Sequence, residues 1–295
     1  MDRRDRARLW VALSLVAAWL PMAMQIWTAA PQAVTAMAEG AYTFEAEVVV
    51  DTPMPSATPE PTAAPTADVG FRVEVIRETE TAPWVGKRVL IYHTHTYEAY
   101  EQVTGAEYVE TEKWRTKDES NSVVSVGRAL AAQLTALGIK VVHDTTAFEP
   151  PDLDNAYARS LIMLEERLSA GETYDLIIDL HRDALSTQST IRRTVETPGG
   201  TSARFMVLVG KGTTGGYEEK PDWEANQAIA QCITDALNGQ LEGIARDVKI
   251  KTGRFNQHVA PNCVLIECGV NTNTLEEVLT GIPYLAQAIA EALVQ

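Results

Sequence analysis

From about residue 85 onward, short apolar runs alternate with longer amphipathic stretches. "RVLIY" (88–92), "KVVHD" (140–144), "DLIIDL" (175–180), "RFMVLVG" (204–210), "DVKIK" (247–251) and "CVLIEC" (263–268) read as strands. Several are continuously apolar, the pattern of strands covered on both faces. Helical patterns lie between them. The clearest, "SVVSVGRALAAQLTALG", repeats apolar residues at 123, 126, 130, 134 and 137 and closes on Gly138. Others span 154–170, 223–238 and 274–293. In the last, Thr274 and Glu277 have capping-box spacing, and "GIP" at 281–283 is expected to break or restart the helix. This alternation predicts an α/β fold, a single three-layer domain with a mainly parallel sheet between helices. In such folds the working site lies at the carboxyl ends of the strands.

The pattern is different before residue 85. "MDRRDRAR" is basic, and Leu9 to Trp27 is an uncharged apolar run of 19 residues. That length suits a membrane-spanning helix, and the flanking arginines would keep the N-terminus cytoplasmic and export the rest. A cleaved signal peptide, with "AMA" at 36–38 as its cleavage site, is the rival reading. Residues 51–69, "DTPMPSATPEPTAAPTADV", cannot bury a core and read as an extended spacer. The expected organisation is therefore a basic start and transmembrane anchor (1–30), a linker (31–84) and a catalytic domain (85–295).

Composition narrows the partners. The chain is 45% hydrophobic with a formal net charge of −15, which argues against sequence-independent nucleic-acid binding. Any anionic partner must be gripped locally. The cysteines, Cys232, Cys263 and Cys268, imply no disulfide framework, and the latter two read as buried thiols in an apolar run.

The chemistry gathers at the strand ends. His93 and His95 follow the first strand, His181 and Asp183 the third, and Glu267 lies near the end of the last, so all converge on one edge of the sheet. His95 and Glu98 form an H-x-x-E pair; with His181 they make two imidazoles and a carboxylate, a common hydrolytic zinc set. Such a zinc makes a nucleophile of bound water near neutral pH, and a carboxylate must then take and pass on its proton. Glu267 suits that role. Strand alternation puts it on one face with Cys263 and Leu265, and a buried glutamate is costly without a partner. Plainer readings exist: "HRD" at 181–183 as a salt-bridged turn, Glu267 paired with Arg254 or Arg182, and His143 bonded to Asp144 or backbone at a strand end. Arg254, Asn256, Gln257 and His258 precede the last strand and could line the cleft.

"LIYHTHTYEAY", "WRTKDESNSVVSVGRAL", "VVHDTTAF", "YARS", "DLHRDAL", "RFMVLVGK" and "RFNQHVAPNCVLIECGVNTNTLEE" occur in order, from about residue 86 to 280. In these motifs the chain resembles the stage II sporulation protein P family of membrane-anchored cell-wall hydrolases. The resemblance implies a zinc-dependent N-acetylmuramoyl-L-alanine amidase fold and activity, with cleavage of peptide cross-links as well. It implies work during forespore engulfment, from the mother-cell membrane, beside stage II sporulation proteins D and M. It puts the family's "HTH" on His93 and His95, its "HRD" on His181 to Asp183, and its late glutamate on Glu267. Comparison with the "DPGH" of related amidases favours His95 over His93. Those amidases carry a ligand glutamate before a "VV" helix where this chain has "ESNSVV", so the third ligand is expected to be Glu98, with Asn121, Glu119 or His93 as alternatives. Arg115 and Arg254 are expected to hold substrate carboxylates by forked hydrogen bonds, with Asn256 beside them.

The expected metal set is thus His95, His93, Glu98 and His181, the catalytic base Glu267, and the substrate-binding residues Arg115, Arg254 and Asn256. A stem-peptide carboxypeptidase or endopeptidase would use the same set. A catalytically silent wall-binding recruiter would lack one of its members.

Overall fold

The structure is a computed structural model that describes residues 81–295; the expected anchor and Pro-rich linker lie outside the described residues. Strand β1 (Arg88–Tyr92) leads through a long loop to helix α1 (Val123–Ala136) and strand β2 (Lys140–His143). Helix α2 (Ala156–Ser169) then precedes β3 (Leu176–Asp183). A hairpin of β4 (Thr194–Thr197) and β5 (Gly200–Ala203) comes next, followed by β6 (Phe205–Gly210), α3 (Trp223–Gln240) and β7 (Lys249–Lys251). Strand β8 (Cys263–Val270) and helix α4 (Leu275–Ala292) complete the domain.

Six strands form one sheet in the order β2-β1-β3-β8-β6-β7. Every pairing is parallel except β6 with β8. Strands β1, β3 and β8 therefore end on the same edge, with His181 directly beside Glu267 in register.

Strand alternation divides the core. Val89, Ile91, Ile178, Leu180, Val264 and Ile266 face α1, α3 and α4, whose Leu130, Ile233 and Leu285 complete the larger cluster. Leu90, Tyr92, Ile177 and Cys263 face the other way, against Ala156 and Leu164 of α2. Truncating a fully buried Leu130 or Leu134 to Ala should cost about 2–5 kcal/mol. Helix α1 starts on Ser122, whose side chain accepts from the Val124 N–H, and gives way at Gly138, φ 85°. The Thr274–Glu277 capping box is formed as expected.

Two expectations need correction, and one element adds to them. Helix α4 runs unbroken through Pro283. Its apolar face, including Val278, Ile282 and Leu285, is buried on the sheet, and that packing outweighs the single hydrogen bond a proline removes. Gly281 permits the close approach, because a Cβ there would sit 2.4 Å from Ser202 Oγ. The β4–β5 hairpin was not anticipated, although its "PGG" at 198–200 is a turn signal. His143 bonds to neither Asp144 nor backbone; its Nε2 lies 2.8 Å from Nε2 of His93.

Among the described residues no helix is long and apolar enough to cross a membrane.

Candidate active site

His93 and His95 diverge at the end of β1. His93 is fully buried and lies under α1 at Gly127, where an added Cβ would come within 2.7 Å of its Nε2. Its Nδ1–H donates to the Leu180 carbonyl (2.8 Å), which leaves Nε2 to accept from His143. Burial, then the neighbouring His143, push its pKa down to about 3, so the ring is neutral. With both nitrogens occupied, His93 has none for a metal. The turn at Thr94–Tyr97 thus sends His93 and His95, which the sequence expectation grouped together, to different places.

His95 faces the α2 side of the sheet. Its ring meets His181 edge-on at 5.3 Å between centroids and Tyr157 of α2 at 5.5 Å. Its Nδ1 is buried without a hydrogen-bond partner, 3.7 Å from Glu149 Oε1. Burial, then the charge of His181, lower its pKa to about 4.

His181 sits between two carboxylates. Its Nδ1 is 3.3 Å from Glu98 Oε2, and its Nε2 is 2.8 Å from Asp179 Oδ1. The Asp179 contact is close without hydrogen-bond alignment, since Nε2 is a buried atom lacking a bonded partner. Burial opposes a charge on this ring, yet Asp179 and Glu98 together raise its pKa well above the ordinary histidine value. Burial likewise opposes charge on Glu98, but His181 and Arg182 outweigh it and hold that carboxyl at about 2. Glu98 is thus held as a carboxylate by the positive groups around it.

The chain delivers Glu98 through the "HRD" stretch. The Arg182 N–H donates to Glu98 Oε2 (3.1 Å), while its guanidinium donates to the carbonyls of Ala99 and Trp114. Arg182 thereby pins the loop between β1 and α1 over the strand ends. Asp183 pairs with Arg246 at 2.7 Å. Between the His181–Glu267 and Asp183–Val270 pairs, β8 advances three residues while β3 advances two, and Gly269 takes up φ 73° there.

Glu267 is 9% exposed and its Oε2 has no hydrogen-bond partner. Burial, with Glu98 and Asp183 adding to it against the pull of His181, raises its pKa to about 8. The cysteines of the same strand, Cys263 and Cys268, are buried free thiols.

The three residues expected to touch substrate are otherwise engaged. The Arg115 guanidinium is ion-paired with Glu149. Arg254 stacks on Tyr217, 4.1 Å from the ring centroid, in a cleft shared with Tyr157 and Phe255. Asn256 is buried, donating its amide to the Tyr157 carbonyl (2.8 Å) and Ser160 Oγ (3.1 Å), so it ties a loop to α2. Of the alternative ligands, Glu119 pairs with Arg128 on the surface and Asn121 bonds to Asp118.

Two residues at the site had not been singled out. Asp179 is fixed by the N–H and hydroxyl of Thr94 at 2.8 and 2.7 Å. Strand alternation signals it, because it lies two residues before His181 on the same face. Glu149 comes from the loop after β2, and nothing local in the sequence points to it.

Among the described residues, no three His, Cys, Asp or Glu side chains stand close enough together to hold a metal ion as they are. The pair His181–Glu98, 3.3 Å apart, has a suitable spacing: two donors on one tetrahedral zinc sit about 3.4 Å apart. His95 is the adjacent imidazole with an unused nitrogen.

Known proteins extend this picture. The chain is 25% identical over 216 residues to stage II sporulation protein P of Bacillus subtilis (strain 168), covering 70% of this chain and 51% of that protein. It thus spans about half the length of that relative. Among solved structures, an N-acetylmuramoyl-L-alanine amidase from Clostridium difficile 630 matches with a TM-score of 0.44 and 14% identity, over 71% of this chain and 95% of its own. The CwlD amidase from Clostridioides difficile, solved with the GerS lipoprotein, matches with a TM-score of 0.42 and 18% identity, over 71% and 95%. At these TM-scores the likeness extends to no particular residue. The family model for Stage II sporulation protein P matches residues 47–290, most of the sequence, and the chain belongs to that family.

Proposed function

We propose that this chain is a zinc-dependent peptidoglycan hydrolase, an N-acetylmuramoyl-L-alanine amidase. It would cut the amide between the muramic acid lactyl group and the first alanine of the stem peptide. The observation that carries this reading is one buried cluster at the strand ends. There His181 and Glu98 stand 3.3 Å apart, His95 adjoins them, and Glu267 is the register neighbour of His181.

The residues fit a zinc ion by chemistry: two imidazoles and a carboxylate, with excess buried negative charge around them. His181 would hold it through Nδ1, Glu98 through Oε2, and His95 after a ring rotation toward the pair. Bound there, zinc would supply a water of lowered pKa and polarise the scissile carbonyl. Glu267, whose Oε2 has no partner, would be the group to take a proton from such a water and return it to the leaving nitrogen. Its raised pKa suits a group that must both accept and give a proton near neutrality. Asp179 lies 2.8 Å from the far nitrogen of His181 and Glu149 3.7 Å from Nδ1 of His95, so each ring has a carboxylate beside it that would help to orient it on a bound metal.

By family membership, the setting we propose is the septal wall during forespore engulfment. The catalytic domain would lie outside a single-pass membrane anchor, near stage II sporulation proteins D and M. The experiment is mass spectrometry of products from purified peptidoglycan incubated with the full chain and zinc. Free stem peptides with an N-terminal alanine, beside glycan with unsubstituted lactyl groups, are the amidase result. Shortened stems still attached to glycan would replace this reading with a peptidase.

A further inference from the structure

With a net charge of −15 the chain repels anions over most of its surface. One groove beside the candidate site does the opposite. Met206 of β6 is the register neighbour of Glu267, so their side chains share a sheet face. Beyond Met206 the groove is lined by Arg204, Arg246 and Lys249, with Asp247 and Val248.

Its charges are only partly neutralised. Arg246 pairs with Asp183. Arg204 makes no ion pair among the described residues: its guanidinium donates to the carbonyls of Gly243, Ala245 (3.1 Å) and Arg192 (3.3 Å). Burial, then the charges of Arg192 and Arg246, lower its pKa against the opposing pull of Asp247. Lys249 is exposed and also makes no ion pair among the described residues. A guanidinium fixed by backbone carbonyls beside like charges is costly to maintain. It is also pre-organised to receive an anion. Arg115 and Arg254, by contrast, are held by Glu149 and Tyr217.

We infer that this groove is the subsite for the carboxylate-bearing peptide portion of the substrate, with Arg204, Arg246 and Lys249 receiving its carboxylates next to Glu267. The inference rests on the peptidoglycan reading above. The stem peptide carries free carboxylates, so it is the part of that substrate for which such a groove is selective.

The test uses the full chain and its Lys249→Glu variant, whose exposed side chain puts the fold at no risk. The probes are a synthetic stem peptide with free carboxylates and its twin with every carboxylate amidated. Calorimetry should show the acid form binding about tenfold more tightly, with most of that preference lost in Lys249→Glu. With wall fragments as substrate, Lys249→Glu should raise KM about three- to tenfold and leave kcat within about twofold. Equal binding of the two peptides, or a variant that behaves like the parent, overturns the subsite. If cleavage occurs without the carboxylate preference, the subsite fails and the hydrolase reading stands. If the preference is found but nothing is cleaved, the subsite stands and the hydrolase reading fails.

Discussion

Nδ1 of His181 and Oε2 of Glu98 stand 3.3 Å apart in a buried pocket where Asp179 guards the ring's other nitrogen. Proton and metal compete for that spacing. In Glu98→Gln the side-chain oxygen can still accept from the Arg182 N–H, but the charge is gone. Zinc affinity, measured by competition with a chromogenic chelator, should fall at least about 100-fold while the fold is retained. Unchanged affinity would remove Glu98 from the ligand set.

Asp179→Asn should act more gently. The amide can keep a contact with Thr94 and loses the charge that orients His181. Zinc affinity should fall about 10- to 100-fold, and Glu149→Gln should do the same through His95.

The two neighbouring histidines should separate cleanly. His93→Ala orphans the buried Leu180 carbonyl and the His143 ring, at a cost of about 2–4 kcal/mol, with zinc stoichiometry unchanged. His95→Ala should lose zinc with little effect on the Tm of the metal-free chain. Gly127→Ala belongs with His93. Its Cβ would meet His143 Nε2 at 2.6 Å and His93 Nε2 at 2.7 Å, so overpacking of about 1–3 kcal/mol should outweigh the helix preference of alanine.

Away from the site, Arg167 reaches Asp144 at 2.6 Å. Burial alone would raise the Asp144 pKa, but Arg167 and the bonds from Thr146 hold it below its usual range. The resulting stability is fully present above the ordinary aspartate pKa of about 4 and is lost as pH falls through the folded value. Arg167→Met should therefore cost about 1–2 kcal/mol at pH 7, shrinking below pH 4 in urea melts repeated across pH.

The sheet could be read from the chain because β1, β3 and β8 are apolar runs with few other uses. Their order brings His95, His181 and Glu267 to one edge whatever the loops do. Two features were out of reach. The facing of His93 and His95 depends on the turn after His93, which breaks the alternation that puts Val89, Ile91 and His93 on the α1 side. The contribution of Glu149 depends on a loop after β2 that returns across the sheet edge. The partner of Arg115 was out of reach for the same reason: a basic residue in the sequence shows its charge, and only the fold shows Glu149 beside it. Likewise, the reversal of β6 against β8, which puts Met206 and the basic groove beside Glu267, follows from the long excursion through β4 and β5 and has no local signature.

The most direct test of the central claim is a comparison of the full chain with Glu267→Gln on purified peptidoglycan, each assayed for bound zinc and for released stem peptides, with and without chelator. The account predicts about one zinc per chain in both proteins. It predicts chelator-sensitive release from the parent, and release from the variant reduced by about 100-fold or more. A zinc-loaded Glu267→Gln protein that releases stem peptides at the parent's rate would contradict it.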